Sequence, residues 1–169
     1  SRLEINLKGC LDNYRYFRSK LESSTKLLVL VKANAYGHGA VEFASLMEEA
    51  GADYLAVAYP IEGIELRQAG IKSPIVVLTA GTDSFEQLIN YGLEPGIPNM
   101  YSLKVLCDVL EKRGMTDFPI HIKLDTGMHR LGFMTDELPE LEDFLKTCGR
   151  VKVKSVCSHL AAADDPCCD

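Results

Sequence analysis

Apolar residues recur along this chain in short continuous runs, and longer stretches with helical periodicity separate them. Aliphatic runs bounded by turn residues are typical of strands buried on both faces. The runs predict strands at about 27–33, 54–59, 74–79, 93–98, 120–126 and 151–159. Before them, the alternation of Leu3, Ile5 and Leu7 with polar residues predicts one further strand at the start of the chain.

The stretches between the runs carry signals that begin and end helices. The first predicted helix has an apolar stripe of Leu11, Tyr14, Phe17 and Leu21. Asn99 and the segment 82–84 (Thr-Asp-Ser) are predicted N-caps of later helices. Glycine, which favours the backbone conformation that closes a helix, follows the helical stretches at Gly51, Gly70, Gly92, Gly114 and Gly149.

Strands that alternate with helices predict an α/β fold with a parallel sheet, because each crossover returns the chain in the same direction. A closed (β/α)₈ barrel needs eight strands and about 250 residues. Six strand–helix units are recognisable in the 169 residues. The alternative, a doubly wound sheet, lacks its Gly-x-Gly-x-x-Gly signature after the first strand. We therefore predict that residues 1–169 form an incomplete parallel barrel of about six βα units.

Composition and net charge limit the classes of molecule that this protein is expected to bind. A net charge of −6 argues against binding to nucleic acid, and 47% hydrophobic residues are enough for a substantial core. No run is long enough to span a membrane and no leader pattern precedes the first strand, so we expect a cytoplasmic protein whose cysteines stay reduced. Cys167-Cys168 lies among aspartates, but no second pair at a zinc spacing accompanies it, and no metal site is predicted.

The strongest chemical signal is Lys32, which ends the apolar run 27–31. A buried ammonium group is costly without a partner, so such a lysine tends to lose its proton, and a neutral amine can form a Schiff base with an aldehyde. The loop that follows carries Tyr36, His38 and two glycines, which suggests a phosphate cradle beside a helix start. The alternative is a solvated lysine followed by an ordinary turn.

A second signal is the strand around residue 122. Its alternation places His121, Lys123 and Asp125 on one face, which in a barrel points inward, and barrel active sites lie at the carboxyl ends of such strands. Arg130 follows in the next loop, and an inward lysine beside an arginine requires a modification or an intervening anion. The alternative is the solvated face of an edge strand.

Two sequence strings resemble signatures of the bacterial alanine racemases, which use pyridoxal 5′-phosphate (PLP). They are 31–39 (VKANAYGHG) and 123–133 (KLDTGMHRLGF), and the segments 53–58 and 62–71 are also similar to the family. The resemblance extends from near Arg2 to about Ala163. It implies a TIM-type barrel followed by a separate C-terminal β domain, which this sequence lacks.

The resemblance also implies roles for individual residues. Lys32 would hold PLP and act as the catalytic base on one face of the substrate, and Tyr36 would contact the cofactor phosphate. Arg130 would contact the phenolic oxygen of the cofactor ring, oriented by Lys123, which is often carbamylated in the family. His159 would lie near the face of the ring, although a lone histidine at a strand end is more often a core residue.

One departure from the family is His129, which stands where glycine is common and would crowd Arg130. The implied function is interconversion of L-alanine and D-alanine for peptidoglycan synthesis, by a homodimer that binds the small amino acid as substrate. The opposing base is a tyrosine of the partner's C-terminal domain, so the 169-residue chain is expected to be inactive by itself.

The sequence leaves several alternatives for the identity of the whole protein to which it belongs. The similarity extends to serine racemases of the same family and to racemases fused behind a cell-wall peptide ligase. Single-domain barrels that bind PLP without racemising provide a non-catalytic reading, although their lysine lacks the Ala-Tyr-Gly-His-Gly context. A helix-covered sheet without any ligand is the purely structural reading.

Overall fold

The computed structural model describes residues 3–162, which divide into two compact units. The first unit contains the described residues up to 79 together with 87–93, and the second contains 80–86 and those from 94 onward. Each unit has three parallel strands with helices between them. The predicted α/β class with parallel strands is therefore confirmed. Within the described residues, none of the helices is long and apolar enough to cross a membrane.

The first unit places its three strands in chain order, with β1 paired to β2 and β2 to β3. Leu28 lies opposite Tyr54, and Leu55 lies opposite Ile75. The elements are α1 Leu7–Ser19, β1 Leu28–Leu30, α2 Lys32–Gly37, α3 Ala40–Glu49, β2 Tyr54–Val57, α4 Pro60–Gln68 and β3 Ile75–Val77, and α5 Phe85–Asn90 crosses the boundary between the units.

The core of the first unit is centred on β2 and β3. Leu55, Val57 and Ile75 have no exposed surface, as expected for strands covered on both faces. Helix α4 packs closely because of Gly63, where an added methyl group would lie 3.0 Å from the Leu93 side chain. A larger residue at this position would push the helix away from the core.

Arg67 fixes the end of α4 by donating hydrogen bonds to four carbonyl groups. Its guanidinium reaches the oxygens of Ile71 and Ser73, both at 2.8 Å, and those of Tyr91 at 3.1 Å and Gly92 at 3.2 Å. These carbonyls belong to two separate loops, and the planar fork of arginine can satisfy them together. Arg67 therefore ties the loop before β3 to the residues after α5.

The second unit repeats the parallel arrangement, with β5 between β4 and β6. Between Ile120 and His121 the register with β6 shifts by one residue, so that His121 lies opposite Ser155. The core contains Leu103 and Leu106 of α6, both without exposed surface. The elements are β4 Glu94–Ile97, α6 Met100–Lys112, β5 Phe118–Lys123, α7 Leu138–Thr147 and β6 Val151–Cys157, with short 3₁₀ turns at Thr82–Ser84 and Thr135–Glu137.

The predicted strand at residues 3–7 is wrong. Leu3 is 75% exposed and Leu7 already begins α1. The Asn6 side chain accepts a hydrogen bond from the Gly9 N–H at 3.0 Å, which caps the helix. An alternating segment becomes a strand only when another strand is available to pair with it, and no described strand pairs with this segment.

In the predicted apolar stripe of the first helix, Tyr14 is buried, but Phe17 is 61% exposed.

Most predicted helix boundaries are confirmed. Gly51, Gly70, Gly92 and Gly114 all have positive φ after a helix, and Asn99 caps α6 by accepting from the Ser102 N–H at 2.9 Å. Two predictions fail. Residues 82–84 form a 3₁₀ turn rather than a cap, since the Ser84 hydroxyl donates back to the Gly81 carbonyl at 2.6 Å. Gly149 does not close α7, which ends at Thr147 with Cys148 in an extended conformation.

Replacing Arg67 tests the contribution of its carbonyl contacts. Arg67→Ala should lower the free energy of unfolding by about 3 kcal/mol, since bonds from a charged donor contribute about 1.5–3 kcal/mol and several carbonyls lose their partner together. Urea unfolding followed by circular dichroism gives this value. Lys104→Ala is the control, because its exposed ion pair with Glu140 should contribute less than about 1 kcal/mol. Equal losses in the two variants would contradict the assignment.

Candidate active site

Lys32 lies in the first unit, immediately after β1 rather than inside it. The predicted strand 27–33 ends at Leu30, although the Val31 N–H still donates to the Ala56 carbonyl at 2.8 Å. The prediction that this run is fully buried is also wrong for Leu28 and Leu30, which are 40% and 39% exposed. Of the described strands only β2 pairs with β1, so one edge of β1 has no neighbour.

The residues after Lys32 form one turn of left-handed helix, α2. The φ angles are 51° at Ala33, 54° at Asn34, 51° at Ala35 and 55° at Tyr36. Each non-glycine residue in this conformation costs roughly 1–2 kcal/mol, because its Cβ approaches the following carbonyl oxygen. Four in succession are therefore maintained by specific contacts. Strain of this kind is concentrated at functional sites.

Hydrogen bonds inside the loop stabilise this turn. The Asn34 side-chain oxygen accepts a hydrogen bond from the Ala40 N–H at 2.7 Å, and the Asn34 backbone carbonyl accepts one from the Gly39 N–H at 3.1 Å. The His38 N–H and its ring Nδ1 both lie within bonding distance of the Ala35 carbonyl, at 3.1 Å and 2.8 Å. The N–H groups of residues 38–40 are thus already used, so the predicted phosphate cradle is not formed by them. His38 has the structural role that its ring contact indicates.

Glu62, which the sequence analysis did not single out, fixes the turn from outside. One carboxylate oxygen accepts the Ala33 N–H at 2.6 Å, and the other accepts the N–H groups of Ala58 and Tyr59 at 2.7 Å and 2.9 Å. Glu62 stands three residues after Tyr59, with Pro60 between them, and by accepting the Tyr59 N–H it forms the glutamate half of a capping box at the start of α4. Proline and glutamate at these positions are the signal that the sequence provides for the start of a helix. Nothing in the sequence signals the contact between Glu62 and the Ala33 N–H.

The side chains of Lys32 and Tyr36 lie close together at this turn. The Lys32 ammonium is 5.8 Å from the centre of the Tyr36 ring, and no hydrogen bond or ion pair to another described residue engages it. Tyr36 is 58% exposed, which leaves its hydroxyl accessible. A primary amine next to a phenol hydroxyl is a donor set that fits an aldehyde carrying a phosphate group.

In the second unit, His121 occupies the centre of a buried polar cluster. Its Nε2 lies 2.9 Å from a Glu94 carboxylate oxygen and its Nδ1 lies 2.7 Å from the Ser155 hydroxyl. His121 is only 5% exposed, while Ile120 and Ile122 on the opposite face are also buried. His121 thus shares a face of the sheet with Glu94 of β4 and Ser155 of β6, as the alternation along β5 predicts for it.

Lys123 lies at the end of β5, opposite Cys157 in β6. Its amine donates to the Leu124 carbonyl at 3.0 Å and is half-buried. Burial raises the pKa of the Cys157 thiol, and the nearby Lys123 charge partly opposes this rise. Among the described residues, no hydrogen bond or ion pair links Lys123 to Arg130.

Asp125 organises the loop that follows β5. Its carboxylate accepts the N–H groups of His129 and Gly127, both at 3.0 Å, and these bonds hold its pKa below the usual range. His129 has φ 53°, the left-handed conformation that favours the glycine common in the family. Its ring Nδ1 lies 3.4 Å from an Asp125 carboxylate oxygen, and its side chain is 71% exposed. At Gly132, an added methyl group would lie 2.4 Å from the Asp125 backbone nitrogen, which excludes any side chain.

Arg130 lies in the loop after β5, and His159 follows β6, the neighbouring strand in the second unit. Both are exposed, and Arg130 forms no ion pair with another described residue. The Thr126 hydroxyl contacts the His159 carbonyl at 3.4 Å, which joins the two strand ends. β6 ends at Cys157, so His159 follows the strand rather than ending it. Cys167-Cys168 lies outside the described residues.

Comparison with known sequences identifies the family. A model of the alanine racemase N-terminal domain matches residues 5–168. The alanine racemase of Synechocystis sp. is 39% identical over 166 residues, which are 97% of this chain and 44% of that protein. The alanine racemase of Nostoc sp. is 37% identical over 97% of the chain and 43% of its own length. The chain thus spans less than half the length of these relatives.

Solved structures give the same result. The crystal structure of alanine racemase from E. faecalis has a TM-score of 0.89 and 32% identity over 96% of this chain and 44% of that one. Alanine racemase of Clostridium difficile 630, in complex with cycloserine, has a TM-score of 0.86 and 34% identity over 92% of this chain and 43% of that one. The parallel α/β fold matches the barrel of these enzymes. The chain belongs to the family of alanine racemase N-terminal domains.

Proposed function

We propose that the whole protein to which this chain belongs is an alanine racemase that uses PLP to interconvert L-alanine and D-alanine. Family membership supports the reaction. The observation that carries the assignment to residues is the geometry at Lys32. A primary amine without a polar partner among the described residues stands at the start of a strained left-handed turn. Strain held in place by surrounding contacts is typical of a site that positions a reactive group.

The first unit would supply two groups to the cofactor. The Lys32 amine would hold the aldehyde carbon of PLP covalently, since a lysine that can lose its proton is the usual nucleophile for this bond. The Tyr36 hydroxyl would donate to the phosphate. The exposed hydroxyl and the amine beside its ring make this pair suitable for an aldehyde that carries an anionic group.

The second unit would supply three further groups. The Arg130 guanidinium would donate to the phenolic oxygen of the cofactor ring, and a carbamate on Lys123 would provide the anion that orients it. A carbamate would remove the repulsion between the two cations. His159 would lie against the face of the ring. The exposed positions of Arg130 and His159 after adjacent strands support their availability.

The chemistry follows from these placements. When bound, PLP withdraws electrons from the α-carbon of the amino acid and makes the α-proton acidic. The Lys32 amine would remove or return this proton on one face. Racemisation also needs a proton donor on the opposite face, and we propose that the partner subunit of a homodimer provides it. A cytoplasmic location and a supply of D-alanine for peptidoglycan rest on family membership alone.

Glu62 is proposed as a positioning residue for Lys32, because its carboxylate binds the N–H of the next residue. The N–H groups of Ala33, Ala58 and Tyr59 need both carboxylate oxygens as hydrogen-bond acceptors. A glutamine would present an N–H₂ group to at least one of them and leave that donor without a partner. The end of β1 and the end of β2 would then lose their common anchor.

The covalent lysine can be identified by reduction. Borohydride treatment of the whole protein with PLP should fix the cofactor to Lys32, as located by mass spectrometry of peptides. Lys32→Ala should lose this adduct and at least about 10²-fold in racemase activity, the usual contribution of a general base. Lys72→Ala, an exposed lysine of the same unit, should behave as wild type. An adduct at Lys123 or at no lysine would overturn the proposal, and serine conversion faster than alanine conversion would reassign the substrate.

Replacing Glu62 by glutamine should weaken both the fold and cofactor binding. We expect a loss of about 2 kcal/mol in the free energy of unfolding, because hydrogen bonds to a charged group contribute about 1.5–3 kcal/mol. PLP affinity should fall about tenfold if roughly 1.4 kcal/mol of this loss affects the bound state. Urea unfolding and fluorescence titration with PLP measure the two. Glu65→Gln on the exposed face of α4 is the matched control, and unchanged PLP affinity in Glu62→Gln would refute the positioning role.

The proposed carbamate makes Lys123 testable by chemical rescue. Lys123→Ala should lower kcat by about 10²-fold in the whole protein, since Arg130 loses the anion that orients it. Added acetate or another small carboxylic acid should restore part of the activity. Lys152→Ala, an exposed residue of β6, serves as the control. Full activity of Lys123→Ala without any acid would show that Lys123 is an ordinary strand residue.

A further inference from the structure

Two cysteines of the second unit lie in contact without a bond between them. Cys107 belongs to α6 and is 8% exposed, and Cys148 directly follows α7. Their sulfur atoms are 3.3 Å apart, although the residues are separated by 41 positions in the chain. Closing this gap to the roughly 2.05 Å of a disulfide requires only a small movement of the side chains.

Ion pairs join residues close to the two cysteines on both sides. Lys104, one turn before Cys107, pairs with Glu140 of α7 at 2.9 Å. Glu111, one turn after Cys107, pairs with Arg150 at 3.2 Å. The two thiols therefore lie within a contact between α6 and the segment 140–150 that also includes two surface ion pairs.

We propose that Cys107 and Cys148 form an oxidisable dithiol, a modification site that closes to an intrachain disulfide when the protein meets a small-molecule disulfide such as oxidised glutathione. The proposal is independent of the racemase function and of PLP. It differs from the expectation that the cysteines stay reduced.

The reaction balances with two thiols and one external disulfide. The Cys148 thiolate attacks the external disulfide, forms a mixed disulfide and releases one thiolate of the reagent. The Cys107 thiolate then attacks the Cys148 sulfur, forms the internal bond and releases the second. The protein loses two protons and two electrons, and the reagent gains them as two thiols.

The order of the two steps follows from exposure. Cys148 is partly accessible, whereas Cys107 is buried, and burial together with the hydrogen bond to Cys148 raises the pKa of Cys107 to about 12. Because the thiolate is the nucleophile, closure should be slow at neutral pH and should become faster as the pH rises. The second step is therefore expected to limit the rate.

The other cysteines provide internal references. Cys10 lies in the first unit and Cys157 in β6, and both are free thiols. Cys167 and Cys168 lie outside the described residues, so the experiment replaces both by serine in every protein to remove their exchange reactions. The remaining thiols of this background are then Cys10, Cys107, Cys148 and Cys157.

The test is oxidation of the folded chain by oxidised glutathione at pH 7 and pH 9. Free thiols are then blocked with iodoacetamide and the digested peptides are analysed by mass spectrometry. We expect a peptide pair joined through Cys107 and Cys148, lighter by two hydrogens than its reduced parts, formed faster at pH 9. The thermal midpoint should rise on oxidation and return with dithiothreitol, since a cross-link across 41 positions restricts the unfolded chain.

Variants separate this pairing from general oxidation. Cys148→Ser and Cys107→Ser should both lose the joined peptide and the rise in midpoint, whereas Cys10→Ser should keep them. A stable glutathione adduct on Cys148 with Cys107 still free would overturn the proposal. So would a cross-link that forms equally well between Cys157 and either cysteine. If Cys107→Ser fails to fold, the peptides of the protein that keeps both Cys107 and Cys148 still show whether the two cysteines become joined.

Discussion

The carboxylate of Glu62 is the contact on which the Lys32 region depends. Four left-handed residues in succession cost roughly 1–2 kcal/mol each, and local bonds from Asn34 and His38 account for only part of the compensation. Glu62 adds a charged acceptor for the Ala33 N–H and binds the end of β2 at the same time. The turn is thereby determined by contacts from both sides, and the lysine before it has a fixed backbone from which to act.

The second unit uses the same physical device after β5. Asp125 accepts two N–H groups of its own loop, and the bridge between Leu124 and Phe133 closes that loop at its base. The carboxylate compensates for the left-handed conformation of His129, which a glycine would adopt without cost. In both loops an ionised side chain satisfies backbone donors that the end of a strand leaves unpaired. Protonation of Asp125 would weaken its loop, and the backbone bonds that hold the pKa of Asp125 below its usual range extend the stability of this loop toward acidic pH.

Sequence patterns predicted the six strands that the structure pairs and four of the five proposed glycine caps, because burial and turn chemistry are local properties of the chain. They did not predict the left-handed turn, since alanine, asparagine and tyrosine give no local signal for four positive φ angles in succession. They also suggested a phosphate cradle in the loop after Lys32, whereas the N–H groups of residues 38–40 form hydrogen bonds within the loop itself. The role of Glu62 depends on a partner 29 positions away, which only the folded arrangement of β1 and β2 brings close.

The remaining mismatches share one cause. An apolar run predicts burial of both strand faces, but burial requires neighbours, and a pattern does not state which segment provides them. β2, which lies between β1 and β3, has Leu55 and Ala56 fully buried as predicted. β1 has a described partner on one side only, and its Leu28 and Leu30 stay about 40% exposed. The hydrophobic pattern of β1 therefore predicts more burial than the described residues 3–162 provide, and Lys32 directly follows this incompletely covered strand.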